Sequence, residues 1–364
     1  MREPHRIRGL DGLRAIAITL VFFGHATKPG HVFDFGSTGV HVFFVLSGFL
    51  IIGILSSQRR RIEAGTTSFS EALKRFLIRR SLRIFPVYYL FVAAIAAVGV
   101  PMAAVWATPD RLLAMVTYTT NFVAWRWWPD TMSHLWSLAV EEQFYLLAAP
   151  LFLLLPYRKG PLACVVTIIV GAVVGIVLAL NGRGFIRIYM DPLVNFGLMA
   201  VGALLSYSVR PKSGTAATRP FLAMAAFIAV ALGVHVSDPM GVPTLPISFL
   251  APTLAAAWLI GEIVSNQESL LTRALDCWPL RAFGRISYGF YLFHPVLIVP
   301  SSFDGALAVI GLHVHVPVPI PQILEFVGTI VLASLSWNLL EKPIQKLGQR
   351  RPTETEMLEQ ATAS

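Results

Sequence analysis

The sequence predicts an all-α, polytopic membrane bundle of about ten transmembrane helices, and three observations predict it. Of 364 residues, 55% are hydrophobic and only 13% are charged, with a mean hydropathy of +0.66. Such a chain carries too few polar side chains to cover itself with an ordinary water-facing surface. Apolar stretches long enough to cross roughly 30 Å of hydrocarbon recur along the whole length. The basic residues, finally, concentrate in alternate connecting segments, which is the signature of a chain oriented across a bilayer.

The first span, 10–28, follows a basic opening, MREPHRIR, without a clear small-residue cleavage signal, and is expected to be retained. The remaining spans are expected at 38–56, 84–105, 134–156, 161–180, 191–209, 220–236, 246–264, 286–303 and 320–340. Between the third and fourth, the stretch from Trp106 to Thr131 contains WRWWP, whose aromatic residues mark a membrane interface; it is placed outside and partly helical. The stretch from Glu262 to Arg285 mixes charges with Leu, Trp and Phe, as either a surface-lying amphipathic helix or a solvated connection would. Residues 1–345 form one membrane domain, and 346–364 are expected as a disordered cytoplasmic tail.

Charge sets the orientation. With the N-terminus in the cytoplasm, only Lys28, Arg111, Arg126, Arg183 and Arg187 of the 29 Lys and Arg residues fall outside, and Arg14 lies within the membrane. Both termini are then cytoplasmic. The net charge of +9 is accounted for by this partition and by attraction to anionic lipid, so nucleic acid is not an expected partner. Cys164 and Cys277 give neither a disulfide framework nor a metal spacing. His313 and His315, in HVHVPVPIP, read as a surface loop without further clustered ligands, so no metal is expected.

Arg14 and His25 stand where an ordinary anchor would carry Leu or Val. A central intramembrane Arg costs about 2.5–3.5 kcal/mol, so the pair implies a compensating polar site. Eleven residues make about three turns, which puts both side chains on one face separated by roughly 16 Å of rise, a geometry suited to a long ligand lying along the helix. In the fourth span Ser137, Glu141 and Tyr145 share one stripe, with His134 and Glu142 at its edges. Arg80 and Arg83, three apart, share a helix face at the cytoplasmic entrance of the third span. Arg75, Arg79, Arg80 and Arg83 also read as a positive-inside cluster. Ser47-Gly48-Phe49 reads as a close helix approach rather than a nucleophile. His294, before a Pro in the ninth span, either satisfies freed backbone groups or lines the same cavity.

Four stretches in a fixed order carry a family likeness: LDGLRAIAITLVFFGHA with its Arg14-x10-His25 spacing, GVHVFFVLSGFLI, RRSLRIFPVYYL and SHLWSLAVEEQFYLL, with GRISYGFYLFHPVLI and LLEKPI further on. Over nearly its whole length the chain resembles the acyltransferase type 3 family of integral-membrane acyltransferases. The resemblance implies a multi-pass protein of the cell membrane, that of a bacterial inner membrane. It further implies transfer of an acyl group, commonly acetyl, from acyl-coenzyme A as co-substrate to a hydroxyl of a glycan or glycosylated small-molecule acceptor, with no tightly bound cofactor. Some relatives carry an added extracytoplasmic domain, which makes a self-contained or partner-assisted reaction the expectation here.

Within that reading His25 is the expected general base, because a neutral imidazole can take the hydroxyl proton as its oxygen attacks the thioester. Glu141 is its preferred partner, orienting the ring and stabilising the imidazolium; Glu142 is the alternative, or pairs with Arg14. The resemblance associates Arg80 and Arg83 with the donor side, and Arg14 either holds a coenzyme A phosphate or supports a glutamate. His41, where the family often has Asp, is expected as an acceptor contact. Composition alone leaves open a second class, a secondary transporter or flippase, and a third, a glycan-binding sensor without donor chemistry.

Overall fold

A computed structural model describes residues 6–26, 35–99, 101, 104–126, 132–209, 224, 245–297 and 320–347. Among them the regular structure is helical, with no β-strand. The helices are α1 (Leu10–Ala26), α2 (Phe35–Glu63), α3 (Phe69–Gly99), α4 (Pro109–Val116), α5 (Thr120–Val123), α6 (Leu135–Leu154), α7 (Gly160–Leu180), α8 (Phe185–Tyr189), α9 (Pro192–Ser208), α10 (Leu245–Ser265), α11 (Leu270–Leu275), α12 (Trp278–Arg285), α13 (Ser287–Leu297), α14 (Ile320–Ser336) and α15 (Lys342–Leu347). Five stretches among the described residues are long and apolar enough to cross a bilayer: Phe35–Glu63, Phe69–Gly99, Leu135–Leu154, Tyr157–Leu180 and Ile320–Leu347. The protein is a multi-pass membrane bundle. The span expected at 220–236, His313 and His315 and most of the proposed tail lie outside the described residues.

The hub is α2, which packs against α1, α6, α9 and α10. In its most apolar window 72% of residues are buried, against 17% for the stretch containing α7, whose Leu180, Ile169 and Val173 face outward. Outward-facing apolar side chains are what a lipid solvent requires. Gly48 makes the tightest approach in the hub, because a Cβ there would collide with the Met199 carbonyl of α9, and Gly202 of α9 faces the Val45 carbonyl in the same way. This is the close helix contact that small residues permit.

At 29 residues α2 is roughly 44 Å long, more than the hydrocarbon needs, and its basic end is tied down. Arg59 donates to the Leu153 carbonyl at the end of α6 (2.9 Å), and the Glu63 carboxylate accepts from the Tyr157 backbone N–H (2.8 Å). Helix α3 likewise begins fifteen residues before the apolar span expected at 84–105, because its basic first half continues the same helix.

The Glu262–Arg285 region resolves into α11 and α12 packed against the start of α1. Leu271 and Leu275 share a core with Leu10 and Leu13, while Arg6 bridges Asp11 (2.9 Å) and Asp276. The other Asp11 oxygen accepts from Arg14 (3.4 Å).

The segment after α3 is partly helical and turns inward, and its tip at Tyr118 meets the interior of the bundle. The Tyr118 ring stacks on Tyr88 of α3 (4.2 Å), the Tyr88 hydroxyl donates to the Met115 carbonyl (2.8 Å), and the Gln143 amide of α6 donates to the Tyr118 carbonyl (2.8 Å). Gln143 lies eight residues into α6, about 12 Å below its outer end. Irregular backbone at such depth is tolerated where it is buried in protein and its polar groups are satisfied. Tyr118 has φ +52°, a left-handed conformation that the surrounding contacts over-determine. At the far end, α14 passes into a π-helical turn, Trp337–Glu341, in which buried Glu341 accepts from the Ser336 hydroxyl (3.1 Å).

Candidate active site

Five helices bring polar residues to one inner cavity of about 90 Å³, with α13 contributing Ser287, Tyr288 and Tyr291. Arg14 comes from α1, Ser47 from α2, Arg80 and Arg83 from α3, and Ser137, Glu141 and Tyr145 from the single stripe of α6. Ser47 donates to Glu141 (2.5 Å) and lies 3.4 Å from the Tyr145 hydroxyl, and the Arg80 guanidinium sits 5.4 Å over the Tyr145 ring. Three guanidinium groups thus face one carboxylate, a positive excess in a site of low dielectric that an anionic ligand would balance. A second cavity of about 240 Å³ shares Arg80 and Arg83 and adds Arg75, Arg79 and Gln58, extending the basic lining toward the start of α3.

Toward the opposite end stands a cluster of three histidines. His25, at the exposed end of α1, places Nδ1 3.2 Å from Nε2 of His294 on α13. The His134 ring, just before α6, lies 5.6 Å from that of His294, and both His134 and His294 are buried. Tyr291, one turn before His294, joins the two ends. Its hydroxyl donates to the His134 carbonyl (3.0 Å), contacts the Ser137 hydroxyl (2.6 Å) and lines the arginine cavity. Among the described residues no group of three or more His, Cys, Asp or Glu is arranged to hold a metal ion.

Of the residues singled out in the sequence, Arg14, Arg80, Arg83, Ser137, Glu141 and Tyr145 meet in the inner cavity, and His25 and His294 meet at the outer cluster. Among the described residues Glu141 accepts its hydrogen bond from Ser47 and not from His25. The reason is axial: Glu141 lies seven residues, about 10 Å, further along α6 than the His134 position that neighbours the cluster. Glu142 points away from the cavity, buried toward Tyr88 and Tyr118, with Oε1 lacking a hydrogen-bond partner in the described structure. His41 is buried against the Tyr189 and Phe249 rings, apart from the residues lining the inner cavity. Sequence reasoning read Ser47 only as part of a close helix approach and missed its hydrogen bond to Glu141, and it missed Tyr291 altogether. Tyr291 is three residues before His294, so the shared helix face was the available signal.

The sequence profile described as an acyltransferase domain matches residues 7–337. The chain is 29% identical to YrhL of Bacillus subtilis over 380 residues, covering 96% of this chain and 56% of that protein. It is 29% identical to the peptidoglycan O-acetyltransferase OatA of Listeria monocytogenes over 395 residues, 94% of this chain and 56% of the relative. It is 24% identical to the O-acetyltransferase OatA of Staphylococcus aureus over 380 residues, 96% and 58%. The chain therefore spans a little over half the length of these relatives. No solved structure matches it significantly. With a profile match that runs through α1, α2, α3, α6 and α13, the helices that build the site, this chain belongs to the acyltransferase type 3 family of integral-membrane proteins.

Proposed function

We propose that the chain is a membrane O-acetyltransferase that takes acetyl from acetyl-coenzyme A on the cytoplasmic side and passes it to a hydroxyl of a cell-wall glycan of the peptidoglycan type. The observation that supports this reading is the series of polar groups that leads from the arginine-lined cavities, through Ser137 and Tyr291, toward His294 and His25. The names of the relatives OatA support the acetyl group and the glycan acceptor.

In this reading Arg80, Arg83 and Arg14 hold the donor's phosphates by charge-assisted hydrogen bonds, and Arg75 and Arg79 extend the basic vestibule. Glu141, held by Ser47, balances part of their charge. The pantetheine arm follows the polar series toward the opposite end. His25 takes the proton of the acceptor hydroxyl as its oxygen attacks the thioester carbonyl; the carbon–sulfur bond then breaks, and the sulfur leaves as free coenzyme A after receiving that proton. Transfer runs directly from donor to acceptor in a ternary complex.

The test is transfer by the full chain in lipid nanodiscs, with acetyl-labelled acetyl-coenzyme A and soluble peptidoglycan fragments. Label in the glycan together with stoichiometric free thiol is the expected result, lost in His25→Ala. Movement of glycan across the bilayer without consumption of thioester would replace this reading with transport.

A further inference from the structure

Hydrogen-bond partners among the described residues locate the Nδ1 hydrogens of the two contacting imidazoles. His294 Nδ1 lies 2.7 Å from the Tyr291 carbonyl and 3.3 Å from that of Phe290. A carbonyl oxygen only accepts, so Nδ1 carries the hydrogen, and neutral His294 keeps a lone pair on Nε2. His25 Nδ1 lies 3.0 Å from the Val21 carbonyl, so it too carries a hydrogen. That same Nδ1 is 3.2 Å from His294 Nε2. Both assignments agree: a donor on His25 meets an acceptor on His294, and neither ring presents two hydrogens to the other.

We propose that His294 is the positioning residue of His25, accepting its Nδ1 hydrogen and thereby leaving His25 Nε2 as the basic nitrogen. This rests on His25 being the general base and assigns the group that orients it. The single Nδ1 hydrogen of His25 is shared between the Val21 carbonyl, which also serves the backbone of α1, and the lone pair of His294 Nε2. When His25 takes up a second proton on Nε2, the resulting imidazolium strengthens its Nδ1–H bond to a neutral acceptor. A third group does this work in other triads, where it holds the imidazole in the productive tautomer. Burial of His294 suits the role, because an enclosed lone pair is shielded from competing water. Its orientation is fixed by two backbone carbonyls of its own helix and by the Phe290 ring stacked at 6.1 Å and 11°.

The experiment uses full-length protein in nanodiscs with ¹⁵N-labelled histidine. The expected result is a scalar coupling through the hydrogen bond between His25 Nδ1 and His294 Nε2, with His25 Nε2 unprotonated. His294→Leu is expected to lower kcat about a hundredfold, within the range for general-base catalysis, while KM for acetyl-coenzyme A changes less than about threefold. His294→Gln, whose amide oxygen reaches the place of Nε2, is expected to abolish the N···N coupling and to recover at least about a tenth of the native rate. Absence of the coupling with His25 protonated on Nε2 overturns the proposal, and so does a native transfer rate in folded His294→Leu. If His294→Leu does not fold, the coupling and His294→Gln decide. Activity persisting in His25→Ala would sink the general-base reading itself; an inactive His25→Ala beside a fully active His294→Leu would sink only the role of His294.

Discussion

The inner and outer ends of the candidate site sit on the same helices yet use opposite electrostatics. The inner end gathers permanent charge, three guanidinium groups around one carboxylate, with further arginines beyond. The outer end gathers imidazoles, side chains able to gain and lose a proton. Fixed charge is suited to holding a polyanion but performs no proton transfer, while a neutral ring does the reverse. Helix α6 shows the division along one stripe: His134 at its outer end, Ser137 between, and Glu141 and Tyr145 among the arginines. On the proposed reading, the axial order of residues separates donor binding from proton transfer.

The largest expected effect breaks the comparison at its outer end. His25→Ala should lower kcat by about 10²- to 10⁴-fold and leave coenzyme A affinity within about threefold, measured by steady-state transfer and by calorimetric binding. The mirror experiment addresses the inner end. Arg80→Lys keeps a charge but loses the planar fork and its stacking on Tyr145, so coenzyme A binding should weaken by about ten- to a hundredfold, the equivalent of about 1.5–3 kcal/mol for hydrogen bonds to charged groups. Should Arg80→Lys lower kcat with unchanged affinity, the division of labour between the ends would be wrong.

Hub and rim give the smaller contrasts. Gly48→Val must displace α9 from α2, and its cost should be about 1–3 kcal/mol, read as a lower unfolding midpoint in detergent. Ile169→Ala, on an outward face of α7 that meets lipid, should stay within about 0.5 kcal/mol of the native protein in the same assay.

Hydropathy made a membrane bundle and five of its spans legible because each apolar stretch reports its own solvent, and eleven-residue spacing put Arg14 and His25 on one face of α1. What stayed hidden depends on contacts between elements. The aromatic, polar stretch around Tyr118 reads as interface, since nothing local announces that Gln143 will satisfy its carbonyl from inside the bundle. Glu141 was visible as a buried carboxylate, but choosing Ser47 over His25 as its partner requires the axial offset of α2 against α6. His294 was visible as an intramembrane imidazole, and its meeting with His25 follows only from α13 lying beside α1.

The π-helical turn at Trp337–Glu341 gives the end of the chain room for one particular change of length. A widened turn absorbs one residue more than the regular spiral would, so removing a single residue between Ser336 and Glu341 restores an uninterrupted α-helix while the side chains that follow keep nearly their original faces. Glu341 would still face Ser336, now from four residues away instead of five. A second deletion, with no widened turn left to absorb it, would swing Lys342 and everything after it by about 100°.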